Sequence, residues 1–588
     1  MNGVWHIPEG TEKPSDGRVK ASLDLTKRRP LPIGVSDFKD LVSNYYYVDK
    51  TLMIRDFLDT RAKVTLFARP RRFGKTLNMD MLKTFFEISK EDTAKYFTHL
   101  NIWSCGEEYK KEQGQYPAIF VSFKDAKSET WKNTFESIQS VITQEYRRHK
   151  YLLASDLFDE YEKKYFENIL EGNATEVGWS NSIKNLSGML RLYYNKPVII
   201  IIDEYDTPIQ QGYTKDYYDD VISFMRNLFS GAFKDNSNLA YGFMTGILRV
   251  AKESIFSGLN NLKLDSILET RYSKYFGFTT EEIQSMMNYY NRSDKYEEIC
   301  AWYDGYQFGN TEIFNPWSVI NYMDENCVPK AFWQATGDNS IIRQIVAEAD
   351  EETSENLRKL MQGQTVYSYI DTSVIYPEIK RNPSTIYSFL LVAGYLKVIN
   401  QQEQLNGNLT CSLAIPNKEI FFVYEKEIIS ALEKVIPQST AISIQKAIVT
   451  KDETRLKEYL QKLLIQSVSS FDYAHENFYH GLMLGICAIM NNLYHVDSNR
   501  ESGYGRYDIQ LCPIDKTMPG IVIELKVADQ NIKDDVIEDT LKQSAKDAVQ
   551  QINDRAYITQ MQRDGIQKFI KIGVVFYKKH VEVVSEEA

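Results

Sequence analysis

The chain has 588 residues, 43% hydrophobic and 25% charged, an ordinary soluble composition with room for three or four domains. A formal net charge of −11 excludes a protein coated in basic surface, so any nucleic-acid site has to be a local patch. No apolar run reaches spanning length, which argues against a membrane partner, and six cysteines without C-x-x-C spacing read as reduced thiols in a cytoplasm.

Residues 1–30 are polar with Lys, Arg and Pro and read as a flexible tail, with no signal peptide. Lys63 to Leu77, KVTLFARPRRFGKTL, reads as a buried strand, a basic loop and the start of a helix. A phosphate-binding loop needs those parts. Backbone N–H groups at a helix N-terminus wrap the phosphates, Lys75 reaches the β/γ oxygens, and the Thr76 hydroxyl joins a Mg²⁺ shell. Arg72 and Gly74 complete the candidate nucleotide-binding set. Strict spacing would put the loop's first Gly at position 69, where this chain has Arg69, a residue less free to adopt unusual backbone shapes.

Ala118 to Phe123, AIFVSF, is a second expected strand. Pro197 to Asp206, PVIIIIDEYD, is a β-branched run closing on carboxylates, which reads as a buried parallel strand. Asp203 at its end is placed to hold Mg²⁺ and Glu204 to polarise an attacking water; a core strand that merely ends in a polar loop is the plainer alternative. Tyr217 to Ala232 reads as a helix and Tyr241 to Ile247 as a further strand, with Thr245 as a polar sensor and Arg249 within reach of phosphate. A strand-end Thr and a surface Arg are the competing readings. The chain order is that of a P-loop sheet with an extra strand between its two nucleotide motifs.

Glu281 to Thr450 is mainly amphipathic helix with short strands. In it WYDGYQFG and FNPWSV are turn-and-anchor segments: Gly305 and Pro316 punctuate, while Trp302, Tyr306 and Trp317 pack. Ser384 to Asn400 reads as a buried helix and strand, and Asn406-Gly407 as a tight hairpin turn.

Glu501 to Leu511 leads into a strand carrying Asp508, and a turn-rich link joins it to Ile521 to Val527, IVIELKV. Glu524 and Lys526, two apart on that strand, share a face, and a hairpin brings Asp508 alongside. Two carboxylates and a Lys at a sheet edge suit Mg²⁺-assisted phosphodiester hydrolysis: the carboxylates hold the metal and Lys526 orients the nucleophile. Solvated charges on an ordinary hairpin are the alternative. Asp472 to Met490 and Ala545 to Tyr557 read as helices, and Lys571 to Tyr577 as the strand that closes the sheet.

LPIGVSDF (Leu31 to Phe38), YYYVDKT (Tyr45 to Thr51), RPRRFGKTLNMDML (Arg69 to Leu82), IIIDEYDTPI (Ile200 to Ile209) and WYDGYQFG…FNPWSV (Trp302 to Val319) resemble the predicted AAA-ATPase-like family of bacterial proteins. That family typically ends in a nuclease-like domain of the PD-(D/E)XK superfamily. The resemblance implies that Arg at the first P-loop Gly is usual, that Glu476 is an accessory carboxylate, and that Gln551 opens a Q-x-x-x-x-x-Y end motif. It implies an α/β protein: a flexible tail (1–30), a P-loop NTPase domain (31–280), a helical, winged-helix-like lid (281–450) and a PD-(D/E)XK nuclease-like domain (451–588). The expected activity is ATP and Mg²⁺ binding that regulates a nuclease-like site acting on DNA or RNA. Two alternatives stand beside it: an ATP-driven signalling or assembly switch, oligomeric and non-cutting, and a pseudo-ATPase scaffold.

Overall fold

A computed structural model describes residues 28–234, 236–248, 261–333, 351–361, 363–371, 383–403, 409–424, 438–467, 479, 483, 486–487, 490, 493–498, 501–502, 505–528, 532 and 536–588. Two compact units contain them, one within 28–333 and 365–420, the other within 351–364 and 421–588.

The first unit is built on a parallel sheet of β1 (Val64–Ala68), β2 (Ala118–Ser122), β3 (Val198–Asp203), β4 (Leu239–Gly246) and β5 (Leu262–Asp265), in the order β2-β3-β4-β1-β5. All six residues of β3 are buried, as expected of a strand covered on both faces rather than one. The helix after the basic loop spans Lys75–Phe86, and the helix before β4 spans Tyr218–Phe233. β4 lies between β1 and β3 although it follows both in sequence, while β2, the strand that falls between the two motifs in the chain, takes an edge of the sheet. The edge strand β5 has no sequence expectation behind it, because LKLD carries too few residues to show a period.

β5 explains Arg69. Its guanidinium is fully buried, donates to the carbonyl oxygens of Ala68 (2.9 Å) and Asp265 (2.7 Å), and pairs with the Asp265 carboxylate. The rings of Phe276 and Phe308 lie 5.0 and 5.4 Å away. The left-handed positions of the loop fall instead at Arg72 (φ 70°) and Gly74 (φ 80°), so position 69 makes no demand that only glycine meets.

The aromatic motifs of residues 302–319 support the loop. A small hairpin of β6 (Tyr306–Phe308) and β7 (Thr311–Ile313) sets Tyr306 and Phe308 against Phe73, each 5.0 Å away between ring centroids. Pro316 opens the helix Pro316–Asp324 after the Asn315 cap. The helix Pro383–Val392 lies between the first two strands of a three-stranded antiparallel sheet of β8 (Val366–Ile370), β9 (Lys397–Glu403) and β10 (Leu409–Ala414), in the order β8-β10-β9. β9 and β10 pair as the hairpin signal requires; Asn406 and Gly407 lie outside the described residues.

The second unit carries a mixed sheet of β11 (Tyr494–Ser498), β14 (Ile509–Pro513), β15 (Gly520–Val527), β16 (Phe569–Tyr577) and β17 (His580–Glu587) in that order, beside a short ribbon of β12 (Glu501–Ser502) and β13 (Gly505–Arg506). Asp508 stands just before β14 rather than within it. β16 does not close the sheet. It runs parallel to β15 on one side and antiparallel to β17 on the other, and is buried throughout. The final strand has no clear sequence signal, because HVEVVSEE mixes charge into a short apolar alternation. Ile521, Ile523 and Leu525 face a core with Ile448, Leu460 and Leu464, so Val522, Glu524 and Lys526 face the other way, toward the helix Ile537–Asp554.

Removing the Arg69 partner should leave Asp265 charged and buried, so Arg69→Ala is expected to lower stability by about 3–5 kcal/mol. Arg69→Met combined with Asp265→Leu should recover much of that loss. Denaturant midpoints of the three proteins check both statements.

Candidate functional site

Gly74 ends the basic loop in a left-handed turn with open space above it, and Lys75 and Thr76 begin the helix. Lys75 is buried and its ammonium donates to the carbonyl oxygens of Arg69 (3.0 Å) and Pro70 (2.8 Å). Burial pulls its pKa below the usual lysine range, opposed by the negative charges of Glu204, Asp206 and Asp203. The cation therefore lies across the loop, next to the carboxylates that end β3.

Asp203 is fully buried and gathers three hydroxyls: Thr76 (2.8 Å), Ser122 (3.2 Å) and Thr245 (2.5 Å). These come from the P-loop helix, β2 and β4. A hydroxyl and a carboxylate adjacent at a helix start form the oxygen pair that Mg²⁺ accepts, with water and phosphate completing its shell. Glu204 follows with φ 51°, and its N–H donates to the Thr245 hydroxyl at 3.1 Å. A left-handed non-glycine residue at this turn redirects the chain as it leaves the strand.

Arg72, the other loop cation expected to meet phosphate, lies on an aromatic ring. Its guanidinium sits 4.6 Å over the Trp317 ring, and burial lowers its pKa to about 10. Nearby, Glu419 is fully buried and accepts hydrogen bonds from the Ser318 hydroxyl (2.7 Å) and the Trp333 N–H (2.9 Å). Burial pushes the Glu419 carboxyl up to about 7, with the Arg72 charge acting against that rise. Arg249 lies outside the described residues.

In the second unit the β14–β15 ladder pairs Ile509 with Ile523. One step further along the same antiparallel register sets Asp508 opposite Glu524, on one face. The Asp508 carboxylate accepts the Leu525 N–H at 2.7 Å. Its pKa is raised by burial, against the Leu525 N–H and the Lys526 charge. Glu524 is buried and accepts from the Gln551 side-chain amide, and Gln551 also hydrogen-bonds the Tyr557 hydroxyl. Gly573 stands beside Glu524 on β16, where a Cβ would overlap the carbonyl of Ala545 and the Cβ of Ala548. The missing side chain lets the helix Ile537–Asp554 press onto the sheet and lay Gln551 against Glu524. Two opposed carboxylates are a donor set for a divalent cation that takes its remaining oxygens from water and phosphate. Among the described residues there is no group of three or more His, Cys, Asp or Glu disposed to hold a metal. Glu476 lies outside the described residues.

Residues 32–256 match the family described as predicted AAA-ATPase, and residues 474–586 match the PD-(D/E)XK nuclease superfamily. The chain joins an AAA-ATPase-like domain to a PD-(D/E)XK domain. It is similar to an uncharacterized protein in the vnfD 5′ region of Azotobacter chroococcum mcd 1, with 24% identity over 396 residues, 67% of this chain and 68% of that protein. The AAA-ATPase-like domain thus includes the loop, Asp203 and Thr245, and the PD-(D/E)XK domain includes Asp508, Glu524, Lys526 and Gln551. No helix among the described residues is long and apolar enough to cross a membrane.

Sequence reasoning missed Ser122, Asp206 and Glu419. Asp206 is buried and accepts the N–H groups of Ile247 (2.7 Å) and Leu248 (3.1 Å), fixing the exit of β4. A polar residue at the end of an apolar strand was the available signal for Ser122; Glu419, in an ordinary helix start, offered none.

Glu419 yields a pH prediction. A carboxyl whose native pKa lies above its unfolded value contributes stability at low pH that is lost as pH rises through the native value. Glu419→Gln should therefore flatten part of the stability decline between about pH 4.5 and 7. Melting temperatures of the two proteins across that range give the comparison.

Proposed function

We propose that the chain is an ATP-binding protein whose nucleotide state regulates Mg²⁺-dependent cleavage of nucleic acid by its C-terminal domain. The observation that carries the nuclease reading is the shared face of Asp508 and Glu524, backed by Gln551. In it Asp508 and Glu524 would hold the cation, Lys526 would orient the attacking water, and Gln551, hydrogen-bonded to Tyr557, would keep the Glu524 carboxylate in place. A bound Mg²⁺ would lower the pKa of that water. The substrate class is a DNA or RNA phosphodiester, met through a local patch because the whole chain is acidic.

The nucleotide reading is supported by the Asp203 network. Lys75 would exchange its two carbonyl partners for β/γ-phosphate oxygens, Thr76 and Asp203 would hold the accompanying Mg²⁺, and Glu204 would accept a proton from the hydrolytic water. Residues 31–280, 281–450 and 451–588 form the ATPase-like, lid and nuclease-like parts in this scheme. The six unbridged cysteines fit a cytoplasmic location.

Lys75→Ala should weaken ATP–Mg²⁺ binding at least tenfold with little change in melting temperature, as removing a hydrogen bond to a charged group requires. Titration calorimetry reads the affinity, and wild-type protein that binds no nucleotide would sink the ATPase reading. Glu204→Gln should keep binding and slow turnover by about 10²-fold or more.

Asp508→Ala should eliminate metal-dependent cleavage of DNA and RNA oligonucleotides while ATP affinity stays at the wild-type value. Cleavage assays with and without ATP, run beside calorimetry, separate the two sites. Retained cleavage in this variant would remove Asp508 from the mechanism.

A further inference from the structure

Gln510 lies on β14 opposite Val522, two residues after Asp508. The period of a strand puts Gln510 and Asp508 on one face, and Glu524 stands diagonally across the ladder, within reach of a long side chain. Cys512, next on that face, packs with Val522 against the apolar cluster of Tyr557 and Met561. Gln510 thus marks the boundary between that cluster and the two carboxylates.

Its side chain is buried, 6% exposed, yet among the described residues its amide nitrogen Nε2 has no hydrogen-bond partner. A buried donor left unmade is destabilising, and an apolar residue of similar volume would fill the same place without that loss. Packing therefore does not account for an amide here. Nor do the neighbouring carboxylates: Asp508 takes the Leu525 N–H and Glu524 takes the Gln551 amide. The face has two anionic acceptors and one uncommitted neutral donor. An anionic ligand drawn to a cation between the carboxylates would need a donor of that kind, because the carboxylates themselves repel it.

We propose that Gln510 is a substrate-positioning residue of the C-terminal site, donating Nε2–H to a non-bridging oxygen of the phosphodiester. The assignment rests on the reading of this face as a nuclease site. The contact is to phosphate rather than to a base, so it distinguishes neither sequence nor DNA from RNA.

The test uses the full chain with Gln510→Leu and Gln510→Glu. Binding of short fluorescent DNA and RNA oligonucleotides is followed by anisotropy with Ca²⁺ in place of Mg²⁺, cleavage with Mg²⁺, and Mg²⁺ affinity by calorimetry. Gln510→Leu should keep Mg²⁺ affinity within about twofold and weaken both oligonucleotides about tenfold, the scale of one hydrogen bond to a charged group. Its melting temperature should hold or rise, because an unmade buried donor is gone. Gln510→Glu should bind Mg²⁺ more tightly and the oligonucleotides more weakly still. Wild-type cleavage with unchanged oligonucleotide binding and cleavage in Gln510→Leu overturns the proposal alone. A lower melting temperature with weaker Mg²⁺ binding in that variant also overturns it, by showing a structural role. A wild-type chain that neither binds nor cleaves either oligonucleotide overturns the nuclease reading, and the proposal with it.

Discussion

A single buried carboxylate organises the end of the first sheet at which the basic loop lies. Asp203 has no solvent exposure, and its two oxygens receive hydroxyls from Thr76, Ser122 and Thr245. A carboxylate so deep would be costly without donors, and those donors belong to three different elements. The network therefore fixes the P-loop helix, β2 and β4 relative to β3. It also aligns the next residue, since the Thr245 hydroxyl that donates to Asp203 accepts the N–H of Glu204. A change in any one hydroxyl would be felt at the others, because the bonds meet on one group.

The basic loop divides its charges among separate tasks. Arg69 is an internal fastener between β1 and β5, Arg71 donates to the Gln210 side chain (2.8 Å), Arg72 lies on Trp317, and Lys75 spans the loop. Only Lys75 combines its position beside open space with a cluster of carboxylates. The aromatic motifs around Tyr306 and Trp317 are consequently part of the loop's support, through Phe73 and Arg72. The bending of the loop at Arg72 and Gly74 is held by that packing rather than by glycine at every turn.

The second sheet separates its duties by alternation. One face of β15 supplies Ile521, Ile523 and Leu525 to an apolar core, while the other carries Glu524 and Lys526 beneath a helix. Charge can be buried there because each carboxylate has a donor, and because the helix approaches closely over Gly573. The strand order places this face on interior strands, with β11 and β17 as edges. Register is therefore protected from slipping, which would send Glu524 into the apolar core.

The strands β1 to β4, the helix after Gly74, the pairing of the strand after Asp508 with β15, and the same-face relation of Glu524 and Lys526 were legible in the sequence. Those features are local: strong β-branched runs, a glycine turn, and a two-residue period all act over a few positions. Contacts between distant segments were decided by tertiary structure. The Arg69–Asp265 pair spans 196 residues, and nothing near either residue points to the other. The same holds for Ser122 on Asp203 and for Glu419 beside Arg72. Gln551 was named by its motif, but the space left by Gly573, through which it reaches Glu524 across 27 residues, was not. Short strands such as β5, and the charged edge strand β17, were illegible for a related reason. Their conformation comes from the neighbour that pairs with them more than from their own residues.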